Sequence, residues 1–113
     1  MTEKQNRGRR MKDVDDLIEN GKIGDFCFVE KENGDLDIWL RYPPSELDKG
    51  FPNVVRLPLK SEAGGLTWDF NGNMETPTLS PSIRIEGHWH GFLRAGVLST
   101  CGDSPSNNYH PGG

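Results

Sequence analysis

Apolar and polar residues alternate along much of this chain with a period of two, the signature of strands with one buried face. Leu36, Ile38 and Leu40 interleave with Asp37, Trp39 and Arg41. Together with residues 25–31 they flank Glu32-Asn33-Gly34, and Asn-Gly favours a tight hairpin because both residues accept positive φ. Pro43-Pro44 ends the second strand, since proline gives no amide hydrogen to a ladder. Residues 54–59 form another strand, with Pro58 marking an edge or a bulge. Residues 61–65 are a flexible link. Residues 66–70 and 82–86 alternate again, and residues 88–93 and 97–101 form a hairpin turning through Arg94-Ala95-Gly96. Only residues 11–20 have helical spacing, carried by Met11, Val14, Leu17 and Ile18. Asp13, Asp15 and Asp16 suit the positive end of that helix, and Asn20-Gly21 suits its stop.

These elements predict a mainly β fold: a small single-domain antiparallel sheet or sandwich with one short N-terminal helix. The core falls to Phe26 or Cys27, Leu36, Ile38, Leu40, Trp68, Phe70, Ile83 and Ile85. Composition agrees, with 33 % hydrophobic residues, 14 Gly and 8 Pro in 113 residues, the mixture of a turn-rich β domain. The expected organisation is a disordered basic arm at 1–10, the β-rich domain at 11–103 and a flexible tail at 104–113.

Charge is unevenly spread. Lys4, Arg7, Arg9, Arg10 and Lys12 face only Glu3 near the start of a chain whose net charge is −4. Such an arm can make weak, salt-sensitive nucleic-acid contacts through Arg7, Arg9 and Arg10, or serve as a solvated tail. No apolar run reaches the roughly 20 residues of a membrane helix, and no apolar stretch follows the basic start as in a secretory signal. A cytoplasmic location without membrane contact is the expectation, host cytoplasm if the protein is phage-encoded. Cys27 and Cys101 are then thiols or ligands sooner than a disulfide.

The densest chemistry lies in residues 71–101. His88 and His90, two apart on a strand, would share a face and converge on one ion. Cys101 would close the hairpin beside them and His110 would swing in from the tail, giving a zinc set of His88, His90, Cys101 and His110. No Cys-x-x-Cys knuckle supports it, and a surface His-x-His occurs without metal. A second arrangement has Cys101 as nucleophile, His88 or His90 as base and Asp103 as orienter. Trp39, Trp89 and Arg94 are the candidate interaction surface. Pro111-Gly112-Gly113 invites comparison with ubiquitin-like tails, although the long central helix of such folds is missing from the pattern.

Three segments carry a resemblance: Trp-Asp-Phe-Asn-Gly-Asn at 68–73, Pro-Thr-Leu-Ser-Pro-Ser-Ile at 77–83 and Trp-His-Gly-Phe-Leu-Arg-Ala-Gly at 89–96. Together they resemble a family of small phage, prophage and bacterial proteins of unknown function, whose phage members often carry the label "ammonia monooxygenase". A chain of this size without a membrane span or redox-cofactor motif does not support that label. Relatives carry extra cysteines that imply zinc; here residues 51–60 hold none and Trp89 precedes His90. Relatives also occur near bacterial ubiquitin-like conjugation genes. The reading from sequence is a phage- or prophage-type accessory protein that acts by binding an unknown protein partner, zinc-stabilised if the ligands converge. The alternative is a small metal-dependent hydrolase using His88, His90 and Cys101.

Overall fold

A computed structural model describes residues 4–59 and 67–109. Its nine strands, in chain order, are β1 (Lys4–Arg7), β2 (Phe26–Glu30), β3 (Leu36–Arg41), β4 (Val54–Pro58), β5 (Asp69–Phe70), β6 (Leu79–Ser80), β7 (Ile83–Ile85), β8 (Trp89–Arg94) and β9 (Val97–Thr100). One helix, α1 (Val14–Asn20), and two short 3-10 turns at Glu46–Asp48 and Pro105–Asn108 complete the described elements. The strands form a four-stranded sheet ordered β1-β9-β8-β7, a three-stranded sheet ordered β2-β3-β4 and the small pair β5-β6, all antiparallel. The fold is therefore the mainly β single domain that the alternation predicts.

One apolar core draws on both larger sheets. Phe26, Ile38, Leu40 and Leu57 come from one, Ile83, Trp89, Leu93 and Leu98 from the other, with Leu79 from β6 between them. Leu36, Trp68, Phe70 and Ile85 pack on its rim, partly exposed. Cys27 is fully buried, and burial, with Asp13 and Asp16 nearby, pushes its thiol up to about 11. The β8–β9 turn is the two-residue loop Ala95-Gly96, with φ of 49° and 76°. These positive values match the twist of the flanking strands.

Asp13 caps α1 by accepting from the Asp16 amide. Its far end is closed by Arg41 of β3, which donates to the carbonyls of Leu17 and Ile18 at 3.1 and 2.8 Å. Gly21 follows with φ −71°, so the helix ends at the expected Asn20-Gly21 without a left-handed glycine. Gly21 is instead placed where a β-carbon would press on Leu17.

The N-terminal segment departs most from expectation. Residues 1–10 read as a disordered arm, yet Lys4–Arg7 pair with β9 in the register Lys4↔Thr100 to Arg7↔Val97. The cause is a buried carboxylate. Asp25 is 1 % exposed and accepts from Arg9 Nη2 at 2.7 Å, the Arg9 amide at 2.8 Å and the Lys22 amide at 2.8 Å. Burial alone would raise its pKa; the guanidinium and the two amides outweigh that and hold it below the ordinary carboxylate range. A buried ion needs such partners, and the basic arm supplies one. Of the expected tail, residues 104–109 are described and are likewise ordered, through the turn at Pro105–Asn108.

Deleting residues 1–10 removes the Asp25 counter-ion and a whole edge strand. The expected cost is about 3–5 kcal/mol, the usual penalty for an uncompensated buried charge, read from urea unfolding at pH 7. A loss below about 0.5 kcal/mol would restore the solvated-arm reading.

Candidate functional site

The Trp-His-Gly run of β8 is built for one purpose per residue. Trp89 points into the core, is 0 % exposed, and donates its indole Nε1–H to Thr100 Oγ1 at 2.9 Å. Gly91 follows on the same face. A β-carbon there would collide with the Trp89 ring and with the Ser99 carbonyl, so only glycine leaves space for the indole. Between them, alternation sends His90 to the opposite face. Trp89 is therefore a core anchor and is withdrawn from the interaction surface expected from sequence, because the period-two pattern of β8 places Trp89, Gly91 and Leu93 inward. Arg94 is exposed. Trp39 is half-buried, its indole nitrogen enclosed without a hydrogen-bond partner among the described residues.

Around His90 the donors converge. Its Nδ1 lies 2.8 Å from Asp103 Oδ1, and the Cys101 amide donates to the His90 carbonyl at 3.0 Å. One ligand atom each from His90, Cys101 and Asp103 can be chosen so that all lie within 4.8 Å of one another. Arg84, directly across from His90 in the β7–β8 ladder, reaches Asp103 Oδ2 at 3.4 Å. The hydrogen bond from His90, against a smaller desolvation effect, holds the Asp103 carboxyl below its ordinary range. Ser104 Oγ accepts from the His90 amide at 3.1 Å and meets Ser106 Oγ at 2.9 Å, fixing the turn that carries Asp103.

At His90 Nδ1 the carboxylate at 2.8 Å outcompetes the Arg84 guanidinium at 3.3 Å, which favours the tautomer with its proton there and leaves Nε2 as a base. The His90 side chain is 16 % exposed, enclosed but reachable. A thiol and a hydroxyl lie just past the ends of the two neighbouring strands. Cys101 follows β9. Ser82 immediately precedes β7, where the register Ile83↔Gly91, extended by one residue, sets it across from Phe92 on the face of Arg84 and His90. Ser82 is half-buried and went unremarked in the sequence except as part of a proline-stiffened segment.

His88 belongs elsewhere. It precedes β8 in the turn of residues 86–88, so strand alternation does not govern it. Its Nδ1 is 2.9 Å from Asp48 Oδ1. Asp48 also accepts from Tyr42 Oη at 2.5 Å and the Ser45 amide at 2.8 Å. Burial pushes the Asp48 carboxyl up, but Ser45, Tyr42 and His88 together bring it below the usual range. Burial and the same carboxylate raise the Tyr42 hydroxyl. Of the four expected metal ligands, the structure thus brings His90 and Cys101 together with Asp103 and joins His88 to Asp48. His110 lies outside the described residues. Asp48 was passed over as part of a polar loop; the signal was Ser45-x-x-Asp48, a capping box.

Residues 49–101 match the family BubE, the bacterial ubiquitination-like system serine protease. The matched segment includes Ser82, His90 and Cys101 and stops two residues short of Asp103. No curated protein and no solved structure matches the chain. Among the described residues no helix is long and apolar enough to cross a membrane.

The Tyr42–Asp48–His88 network carries a pH signature. Asp48 has a lower pKa folded than unfolded, where a carboxyl titrates near about 3.9. It therefore stabilises the fold above that pH, and the contribution disappears as pH falls through the folded value. Asp48→Asn should cost about 2–4 kcal/mol at pH 7 and converge on the wild type in acid. Parallel stability curves from pH 7 to pH 2 in chemical denaturation would show that the carboxylate is not the source.

Proposed function

We propose that this chain is a hydrolase of acyl bonds, peptide or isopeptide, serving a bacterial ubiquitination-like system. His90 is its general base, Asp103 the orienting carboxylate and Ser82 the nucleophile. The observation that carries the reading is the 2.8 Å contact of His90 Nδ1 with Asp103 on a face flanked by hydroxyl and thiol groups. The similarity of residues 49–101 to a serine protease family supports the choice of serine and of the process. In this reading Ser82 Oγ attacks the carbonyl carbon and its proton passes to His90 Nε2. The imidazolium, stabilised by Asp103, then gives the proton to the leaving amine. Water activated by His90 next cleaves the acyl-serine ester and regenerates the hydroxyl. A phage or prophage setting, implied by the resemblance in residues 68–96, is compatible with this reading and plays no part in it.

Cys101 supports a second reading, because its sulfur belongs to the group within 4.8 Å that includes His90 and Asp103. The thiol would then be the nucleophile with the same base and orienter. The three donors also suit zinc by type. Ligands bound at about 2.0–2.3 Å around one tetrahedral ion lie roughly 3.3–3.8 Å apart, so the group would have to draw together. The zinc-stabilised binding protein expected from sequence rests on this third use of the same residues. It requires binding without turnover.

A fluorophosphonate probe, which esterifies activated serines, separates these uses. Labelling of the wild type should vanish in Ser82→Ala and His90→Ala and fall by about a hundredfold or more in Asp103→Asn, with each variant's melting curve confirming folding. Cys101→Ala should still label. Loss in Cys101→Ala with retention in Ser82→Ala, tracked with iodoacetamide, would move the nucleophile to the thiol. Tightly bound zinc, with no labelling by either probe, would establish the binding reading in place of hydrolysis.

A further inference from the structure

The face that carries His90 continues along β8 and changes character. His90, Phe92 and Arg94 share it by alternation. Their cross-strand neighbours follow from the register: Ser99 and Gln5 beside Phe92, then Val97 and Arg7 beside Arg94. The Arg94 guanidinium carbon sits 4.0 Å from the Phe92 ring centroid, a stacked geometry that holds the cation in place while leaving its edge free.

The basic side chains nearby differ in availability. Arg9 is paired with Asp25, Arg10 with Glu75 and Arg84 with Asp103. Arg7 and Arg94 are exposed and have no carboxylate within ion-pair range among the described residues. They flank Val97 from the two neighbouring strands. Strands lie about 4.8 Å apart, so the two backbones are about 10 Å apart and two long guanidinium side chains can converge on one carboxylate. On a chain of net charge −4, two cations without a carboxylate partner among the described residues, at one end of the face, are a local exception.

We propose that this end of the face, Arg7, Phe92 and Arg94, recognises an acidic residue of an extended polypeptide substrate whose scissile bond lies at His90. The proposal rests on the hydrolase reading for the position of the bond. Four residues of strand separate His90 from Arg94, about 13 Å, and an extended substrate covers that span in the same number of residues. The recognised carboxylate therefore lies about four residues from the bond that is cut, lodged between the guanidinium groups, with the Phe92 ring as apolar floor. Nucleic acid is the less fitting partner. Its affinity is built from many phosphate contacts, and the pairing of Arg9 and Arg10 leaves only Arg7 of the three arginines expected to make them.

The test uses the full-length His90→Ala variant, so that nothing is turned over, and fluorescein-labelled extended peptides. One has a single Glu at its centre among neutral residues; its control has Gln there. The Glu peptide should bind about tenfold more tightly at low salt, the scale of one charge-assisted bidentate contact. That preference should be lost on adding Arg94→Ala or Arg7→Ala, and both additions should leave the melting temperature within a few degrees. Equal affinity for the two peptides, or an undiminished preference in the Arg94→Ala background, overturns the proposal. So does tighter binding of a single-stranded oligonucleotide than of the Glu peptide. A Glu preference that depends on Arg94, in a protein whose Ser82 takes no fluorophosphonate, sustains the acidic-ligand site while removing the hydrolase reading. Labelling of Ser82 without any Glu preference does the reverse.

Discussion

The burial of Trp89 is the constraint on which the rest of the site depends. A strand offers two faces and no intermediate. Once the largest side chain of β8 is committed to the core, Gly91 must be bare to leave room for its ring, and His90 has only the outer face left. The indole hydrogen bond to Thr100 ties the same commitment to β9, so a slip of one residue would break it and turn every side chain over. Register in this sheet is thus fixed by packing within the core. The position of the candidate base is a consequence of that packing, and so is the row of Phe92 and Arg94 beyond it.

A second constraint acts from the edge. Asp25 is buried at the start of β2, and its carboxylate is satisfied by Arg9 and two backbone amides. This contact draws the N-terminal segment across both sheets and lays β1 against β9. With β1 in place, Ser99 is no longer at the rim of the sheet, and Arg7 joins the outer face. The ion pair therefore does more than stabilise a strand: it sets the width of the surface on which His90 stands.

Much of the fold was legible in the sequence because period-two alternation is a local signal. Leu36, Ile38 and Leu40 announced β3, and Asn33-Gly34 and Ala95-Gly96 announced the turns on either side of the two hairpins. What escaped was non-local. β1 has no apolar alternation, and its order comes from a carboxylate 16 residues away from Arg9. Trp89 looked like an interaction aromatic because its face was taken to lie opposite the other apolar residues; only the glycine at 91, read as space for a ring, could have shown otherwise. His88 and His90 looked like one pair because strand spacing was assumed for both. The chain enters β8 only at Trp89, and a single turn residue separates their fates. Ser82, just before β7, was hidden by its prolines, whose stiffness was noticed while its hydroxyl was not.

The two histidine–carboxylate pairs show why contact alone does not define a catalytic site. At His88 the carboxylate is buried and fully engaged, with Tyr42 and Ser45 sharing its oxygens. Its strongest effect is to clamp the 46–48 turn to the 86–88 turn, joining segments from the two sheets. At His90 the order is reversed. The imidazole is the enclosed partner and Asp103 is 60 % exposed, held only by a short turn and by Arg84. Under the proposed hydrolase reading, an orienting group of this kind costs the fold little and can follow the imidazole as its charge changes. The neighbours decide the matter. Beside His88 both hydroxyls are already committed, that of Tyr42 to Asp48 and that of Ser45 to Asp48 and to the Gly87 carbonyl. Beside His90, the Ser82 hydroxyl has no hydrogen bond to another described residue, and Cys101 lies within the same few ångströms. A base with an orienter becomes chemistry only where a nucleophile comes within its reach: the Cys101 sulfur lies within 4.8 Å of ligand atoms of His90 and Asp103, and the ladder sets Ser82 on the same face, one position before β7.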